Sequence, residues 1–278
     1  ITPISYDHER WLGHDLVDIA GEKAGILTDG ATLVMAAQRE EVDGVVLAAA
    51  AEHGVRVLRE GVDLQVAGRR VAVGGQLLDL STTGGLYTEV FLPLHGAHQA
   101  SNSLLALAAA EAVLRDGGAL SGELVEAAFA DMHSPGRLEM VRSSPTVLVD
   151  AAHNPHGVEA LVAGVRDAFS FERLVGVVGI LEDKDAEQIL AGLEPLLDEV
   201  VVTRSTSPRA HDVDDLALIA TEVFGEDRVH AVERLDEAIA LAVELSEGAA
   251  EGSPTGAGVL VTGSVTMAAE ARTLFGRH

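Results

Sequence analysis

The chain has 278 residues, a hydrophobic fraction of 47% and a mean hydropathy of +0.23, enough to bury the core of one large domain or two of ordinary size. A formal net charge of -25 weighs against nucleic acid or an anionic membrane as partner, although a local basic pocket can still hold phosphates. There is no cysteine, which excludes disulfides and thiolate metal sites, and apolar runs such as residues 45–51 are too short to cross a bilayer.

No signal-peptide pattern precedes the first predicted helix, and a cytoplasmic protein is the expectation; a monomer is expected as well. Of the 19 basic residues only Lys23 and Lys184 are lysines, the rest being Arg. Each lysine therefore either marks a place that needs a primary amine or is a chance survivor. An amine can be carbamylated into a metal ligand, or act as a compact charge beside a carboxylate, and a guanidinium does neither well.

The opening Ile1-Thr-Pro-Ile-Ser-Tyr-Asp7-His8 reads as the end of a strand with nothing before it, which implies a missing upstream element. A helix is predicted over 9–24, with Trp11, Leu12, Leu16, Ile19 and Ala20 on its apolar face and Gly25 ending it. A strand over 31–37 and an alanine-rich helix over 41–53 complete an αβα pattern. His8 and Lys23 bracket the first helix. They read either as functional groups or as a structural histidine and a surface pair of Lys23 with Glu22.

From Val55 to Leu94 the pattern alternates, with glycine turns at Gly68 and at Gly74-Gly75, and predicts an antiparallel meander. Gly74-Gly75 is no dinucleotide fingerprint, because no strand-to-helix unit follows it. Next, His98, Gln99 and Asn102 share one face at the amino end of a helix running to residue 114. Their side chains suit either a planar ligand such as a nucleobase or the capping of that helix. A second helix is predicted over 121–132. Ser134-Pro135-Gly136 then breaks the chain, placing a domain boundary near 135–140.

The second half is regular. Strands near 146–149, 174–179, 199–203, 228–231 and 258–262 alternate with helices near 155–169, 185–196, 212–224, 233–246 and 265–274, predicting a mostly parallel, Rossmann-like α/β sheet covered on both faces. Asn154-Pro155 is an N-cap followed by a first-turn proline. No G-x-G-x-x-G follows the first strand, so nicotinamide or flavin binding has little support. Polar groups instead follow successive strands: Asp150 and His153, then Asp183, Lys184 and Asp185, then Arg204 and Arg209, then Thr262-Gly263-Ser264. Each group alone is capping chemistry. Together, at the edge where parallel strands end, they suggest an anionic ligand the size of an amino acid.

Seven segments in order carry a resemblance: Ile1-Thr-Pro-Ile-Ser-Tyr-Asp-His8, Gly21-Glu-Lys23-Ala-Gly-Ile26, Gly96-Ala-His-Gln99 with Asn102, Ser134-Pro-Gly-Arg137-Leu-Glu139, Asp150-Ala-Ala-His153-Asn-Pro155, Gly179-Ile-Leu-Glu-Asp-Lys184-Asp185 and Val261-Thr-Gly-Ser264. Together they resemble the folylpolyglutamate synthase/dihydrofolate synthase family of Mur-type ATP-dependent amide ligases, over nearly the whole chain and most weakly in the meander. The resemblance implies that 1–137 is the rear part of a central ATPase domain and 138–278 a C-terminal glutamate-binding domain. It also implies roles by position. His8 resembles a magnesium-binding histidine and Lys23 the lysine carbamylated near the metals. Asn102 resembles the residue that meets adenine, Arg137 the one that reaches ATP phosphates, and Asp150 a nucleotide-contacting aspartate. His153, Ser264 and Lys184 resemble residues around the incoming glutamate, with His153 and Lys23 the catalytic candidates.

The implied chemistry belongs to folate biosynthesis and one-carbon metabolism. ATP, with Mg²⁺, phosphorylates a folate or dihydropteroate carboxylate, and the L-glutamate amine displaces phosphate from the acyl phosphate. One departure matters: no G-x-x-x-x-G-K-[ST] phosphate loop occurs anywhere in the sequence. The expectation is that this chain alone neither hydrolyses ATP nor ligates. Two other readings stay open: a non-catalytic protein that binds glutamate or a partner, and a Mur-type ligase of cell-wall synthesis. The motifs around Asp150 and Lys23 argue against the latter.

Overall fold

The computed structural model describes residues 1–6, 15–248 and 256–277. They divide into two units. One comprises Ile1–Pro93 with Ala97–His133, and the other Leu94–Gly96 with Ser134–His278.

In the first unit, α1 (Leu16–Ala24), β1 (Thr32–Met35), α2 (Glu40–Glu52) and β2 (Arg56–Arg59) form an α/β layer. Asp15 caps α1 by accepting the Val17 N–H, and the chain turns at Gly25. Leu16, Ile19 and Ala20 of α1 meet Leu33 and Met35 of β1 and Val42, Val46 and Ala50 of α2 in one core. Ile1 runs along β1, donating its amino group to Val34 O at 2.7 Å and accepting from Ala36 N at 2.9 Å.

The meander consists of β3 (Gln65–Ala72), β4 (Gly75–Ser81) and β5 (Leu86–Leu92), antiparallel in that order. It is shorter than the alternation predicts. The Val55-to-Val57 run falls at β2, which pairs in parallel with β1 from Thr32↔Arg56 to Met35↔Arg59. Leu58 packs inward while Arg56 stays exposed, so alternation marks a one-sided strand without revealing its partner. The two-residue turn Val73-Gly74 needs Gly74 at φ +76. Then α3 (Ala97–Arg115) and α4 (Gly122–Ala130) follow, with Ser121 capping α4. Glu111 of α3 is fully buried, and its Oε1 accepts from Tyr87 Oη at 2.6 Å and Thr82 Oγ1 at 3.0 Å.

The second unit holds a six-stranded sheet. Its strands are β6 (Glu139–Ser143), β7 (Thr146–Val149), β8 (Arg173–Val178), β9 (Glu199–Val202), β10 (Val229–Ala231) and β11 (Ala257–Thr262), in spatial order β10-β9-β8-β11-β7-β6. All neighbours are parallel except β6 and β7. Helices α5 (Pro155–Ala168), α6 (Ala186–Leu193) and α7 (Val213–Phe224) bury Leu148, Leu174, Val178, Val200, Val202 and Leu260 on one face. On the other, α8 (Leu235–Gly248) and α9 (Val265–Leu274) cover Val147, Val149, Val175, Val177, Val201, Val259 and Val261. Consecutive strand residues thus point into opposite cores, which explains why these strands are unbroken apolar runs.

One feature differs from the sequence reading. Edge strand β6 is not predicted, because of its five residues only Val141 is buried and no apolar period is visible. The two compact units divide between His133 and Ser134. The turn carrying Arg137 is tied into the second unit by Leu138 N donating to Asp150 Oδ2 at 2.8 Å and Ala151 N donating to Gly136 O at 2.8 Å.

Candidate active site

Because β11 lies between β7 and β8, the turns that follow these strands are neighbours at the carboxyl edge, where open parallel sheets bind ligands. Asp150 N donates to Val261 O at 2.9 Å, Gly263 N to Ala152 O at 3.1 Å, and Gly179 N to Thr262 O at 3.2 Å. On the far side of β8, Thr203 N donates to Val178 O at 3.0 Å. The groups named from sequence after β7, β11, β8 and β9 therefore follow one another along a single edge. Glycine makes the central crossing feasible. Gly263 sits at φ +111, and a Cβ there would lie 2.7 Å from Gly179 O.

Asp150 is buried and spends both oxygens on backbone: Oδ1 accepts from Ala152 N at 2.8 Å and Oδ2 from Leu138 N at 2.8 Å. Burial pushes its carboxyl above the ordinary value, opposed by those two N–H groups and by the charges of Arg137 and His153. Leu138 is held at φ +47, a left-handed conformation costly for a branched residue. Asp150 thus clips the turn that presents the exposed Arg137. Glu139 secures the same turn, accepting from Gly136 N at 2.8 Å and from Arg272 Nε at 2.7 Å.

His153 is half-buried, and its Nδ1 lies 2.9 Å from Ala151 O. A carbonyl only accepts, so Nδ1 carries a proton. Ser264 is buried and caps α9, its Oγ accepting from Met267 N at 3.1 Å. Asn154 does the same for α5 through Gly157 N at 2.7 Å, so two helix amino ends converge on this edge and favour anions there. Lys184 is half-buried in the β8–α6 turn, whose Asp183 pairs with Arg209 at 3.2 Å. That turn also binds the β9–α7 loop through Glu182 N to Arg209 O at 2.8 Å and His211 N to Ile180 O at 3.0 Å.

The remaining candidates belong to the first unit. Asn102 is exposed on α3 and donates Nδ2 to Gln99 Oε1 at 3.2 Å. Lys23 is exposed in the last turn of α1, and His8 lies outside the described residues. Among the described residues no three His, Asp or Glu side chains converge as a metal set, and no helix is long and apolar enough to cross a membrane. Sequence reading missed one contact at the edge. Glu270, in the middle of α9, accepts from Thr206 N at 3.0 Å and Thr206 Oγ1 at 2.5 Å. The two residues are 64 apart in the chain, beyond the reach of any local pattern.

Residues 136–265, which hold this mixed sheet and its polar turns, match the family described as Mur ligase, glutamate ligase domain. The whole chain is 49% identical to a dihydrofolate synthase/folylpolyglutamate synthase of Mycobacterium tuberculosis, covering 60% of that protein. A counterpart from Bacillus subtilis is 30% identical over 82% of the chain and 54% of its own length. The crystal structure of Mycobacterium tuberculosis folylpolyglutamate synthase complexed with ADP and AMPPCP superposes with a TM-score of 0.95 at 49% identity, over 100% of this chain and 63% of that one. This chain belongs to the folylpolyglutamate synthase/dihydrofolate synthase family of Mur-type ligases, and spans about three fifths of the relatives' length.

Proposed function

We propose that this chain is the rear of the ATPase domain (1–137) and the glutamate-binding domain (138–278) of an enzyme that adds L-glutamate to dihydropteroate or a reduced folate. The observation that carries the reading is the single carboxyl edge that aligns His153, Ser264, Lys184 and the arginines of the β9–α7 loop. ATP converts the pterin substrate's carboxylate to an acyl phosphate with release of ADP. The glutamate amine then attacks the acyl carbon, phosphate leaves, and the amine proton is taken up. His153 fits that last role, because with Nδ1–H held on Ala151 O the nitrogen that accepts a proton is Nε2. Ser264, Lys184 and the helix amino ends bind carboxylate, Asp150 positions Arg137 for the phosphates, and Asn102 meets the adenine.

ATP as substrate is supported by the nucleotides in the related complex. Mg²⁺ accompanies ATP in this reading; of its two proposed ligands, His8 lies outside the described residues and Lys23 is exposed in the last turn of α1, where carbamylation would give it a carboxylate-like group to hold the ion. The 278 residues are proposed to be inactive alone, in keeping with the absence of a G-x-x-x-x-G-K-[ST] loop. The test is ADP release dependent on both pteroate or folate and L-glutamate. It is measured for this chain and for the product of the reading frame extended upstream of Ile1. The expected result is none from the first and turnover from the second. Release by the chain alone overturns the inactivity, and silence of the extended product overturns the ligase reading.

A further inference from the structure

The loop joining β9 to α7 is fastened on two sides. Arg209 holds the β8–α6 turn through its own carbonyl and through the pair with Asp183. On the other side the Glu270 carboxylate takes both the backbone N–H and the hydroxyl of Thr206, a charge-assisted double contact among the stronger kinds of hydrogen bond. Between the end of β9 and this clamp stand Arg204 and Ser205. Arg204 is exposed and has no hydrogen bond or ion pair among the described residues. Ser205 is 3% exposed, and its Oγ has no partner. A buried hydroxyl left unpaired beside an unengaged cation is costly for a loop whose only task is to connect. Glu270 sits on α9, the helix whose amino end is capped by Ser264. The clamp therefore ties the loop to the same element that carries a glutamate-binding candidate.

We infer that Glu270, acting through Thr206, is a positioning residue for the amino-acid site, holding Arg204 and Ser205 at the carboxyl edge where the incoming amino acid's carboxylates bind. This rests on the glutamate-ligase reading above. Without the clamp the loop keeps its anchor at Arg209 but loses its tie to α9, and the cost of ordering it falls on the ligand. Affinity for the amino acid drops while the fold is retained, because both clamp side chains lie at the surface of the unit.

The experiment is titration of the 278-residue chain with L-glutamate, followed by ligand-observed NMR, for the wild type, Glu270→Ala, Thr206→Val and Thr206→Ser, each with its melting temperature. The expected result is about tenfold weaker binding for Glu270→Ala and Thr206→Val, wild-type binding for Thr206→Ser, and unchanged melting. Wild-type affinity in Glu270→Ala and Thr206→Val overturns the inference while leaving the glutamate-ligase reading standing. Weakened binding that appears only with a lowered melting temperature reduces the pair to fold support and overturns it as well. If the wild-type chain shows no L-glutamate binding, the glutamate-binding assignment itself fails and the inference falls with it.

Discussion

Single atoms in the second unit carry measurable consequences. Thr262 ends the central strand with its side chain fully buried and its Oγ1 unpartnered. Replacing a lone unsatisfied hydroxyl by a methyl group removes a desolvation cost, so Thr262→Val should raise unfolding free energy by about 1 kcal/mol. Urea denaturation reads this directly, and a destabilised variant would mean that the hydroxyl has a partner in solution. His95 gives a pH signature. Burial holds its ring below the ordinary value of 6.5, with Asp167 pulling the other way, and its Nδ1 lacks a partner beside the Phe169 ring, 4.9 Å away edge-on. Below pH 6.5 the unfolded chain takes up a proton that the native ring resists, so the stability His95 contributes is present above 6.5 and lost as pH falls through that window. Denaturation midpoints across pH 7.5 to 5 should decline less steeply in His95→Phe than in the wild type. Equal slopes would assign the decline to other groups.

At the scale of elements, the crossing of β11 and β8 depends on glycine. Gly263→Ala meets both a left-handed backbone and the Gly179 carbonyl, which is main chain and cannot swing aside. The expected loss is about 2 to 4 kcal/mol, measurable as a shift in denaturant midpoint, whereas Gly248→Ala, with open space at its Cβ, serves as the near-neutral control. Much of this architecture is legible in the sequence, because doubly buried strands must be apolar throughout and helices announce themselves with caps such as Asn154, Asp185, Asp212 and Ser264. What is not legible is pairing. Val57 looks the same whether its neighbour is parallel β1 or an antiparallel hairpin partner, and β6 buries too little to leave a pattern. The site divides in the same way. Polar residues after each strand are visible one turn at a time. The contacts that organise them, Glu270 to Thr206 and Arg272 to Glu139, join residues 64 and 133 positions apart.

For the molecule as a whole, a net charge of -25 over 278 residues makes self-repulsion a global term. Added salt screens it, so the melting temperature should rise between low ionic strength and about 0.2 M KCl. A flat response would show that local ion pairs, such as Arg173 with Glu199, offset the repulsion already. The position of β11 bears on biosynthesis. This strand, made after the other five of its sheet, inserts between β7 and β8 and supplies backbone partners to both. Until it leaves the ribosome, the two halves of the sheet face each other across an unfilled slot, and α9 with Ser264 has not yet arrived. The nascent second unit therefore cannot close its core early, and a chain cut short before Ala257 carries neither a finished sheet nor a finished site. Strand order thus couples the two: completion of the second unit's sheet and completion of the proposed amino-acid site are the same event.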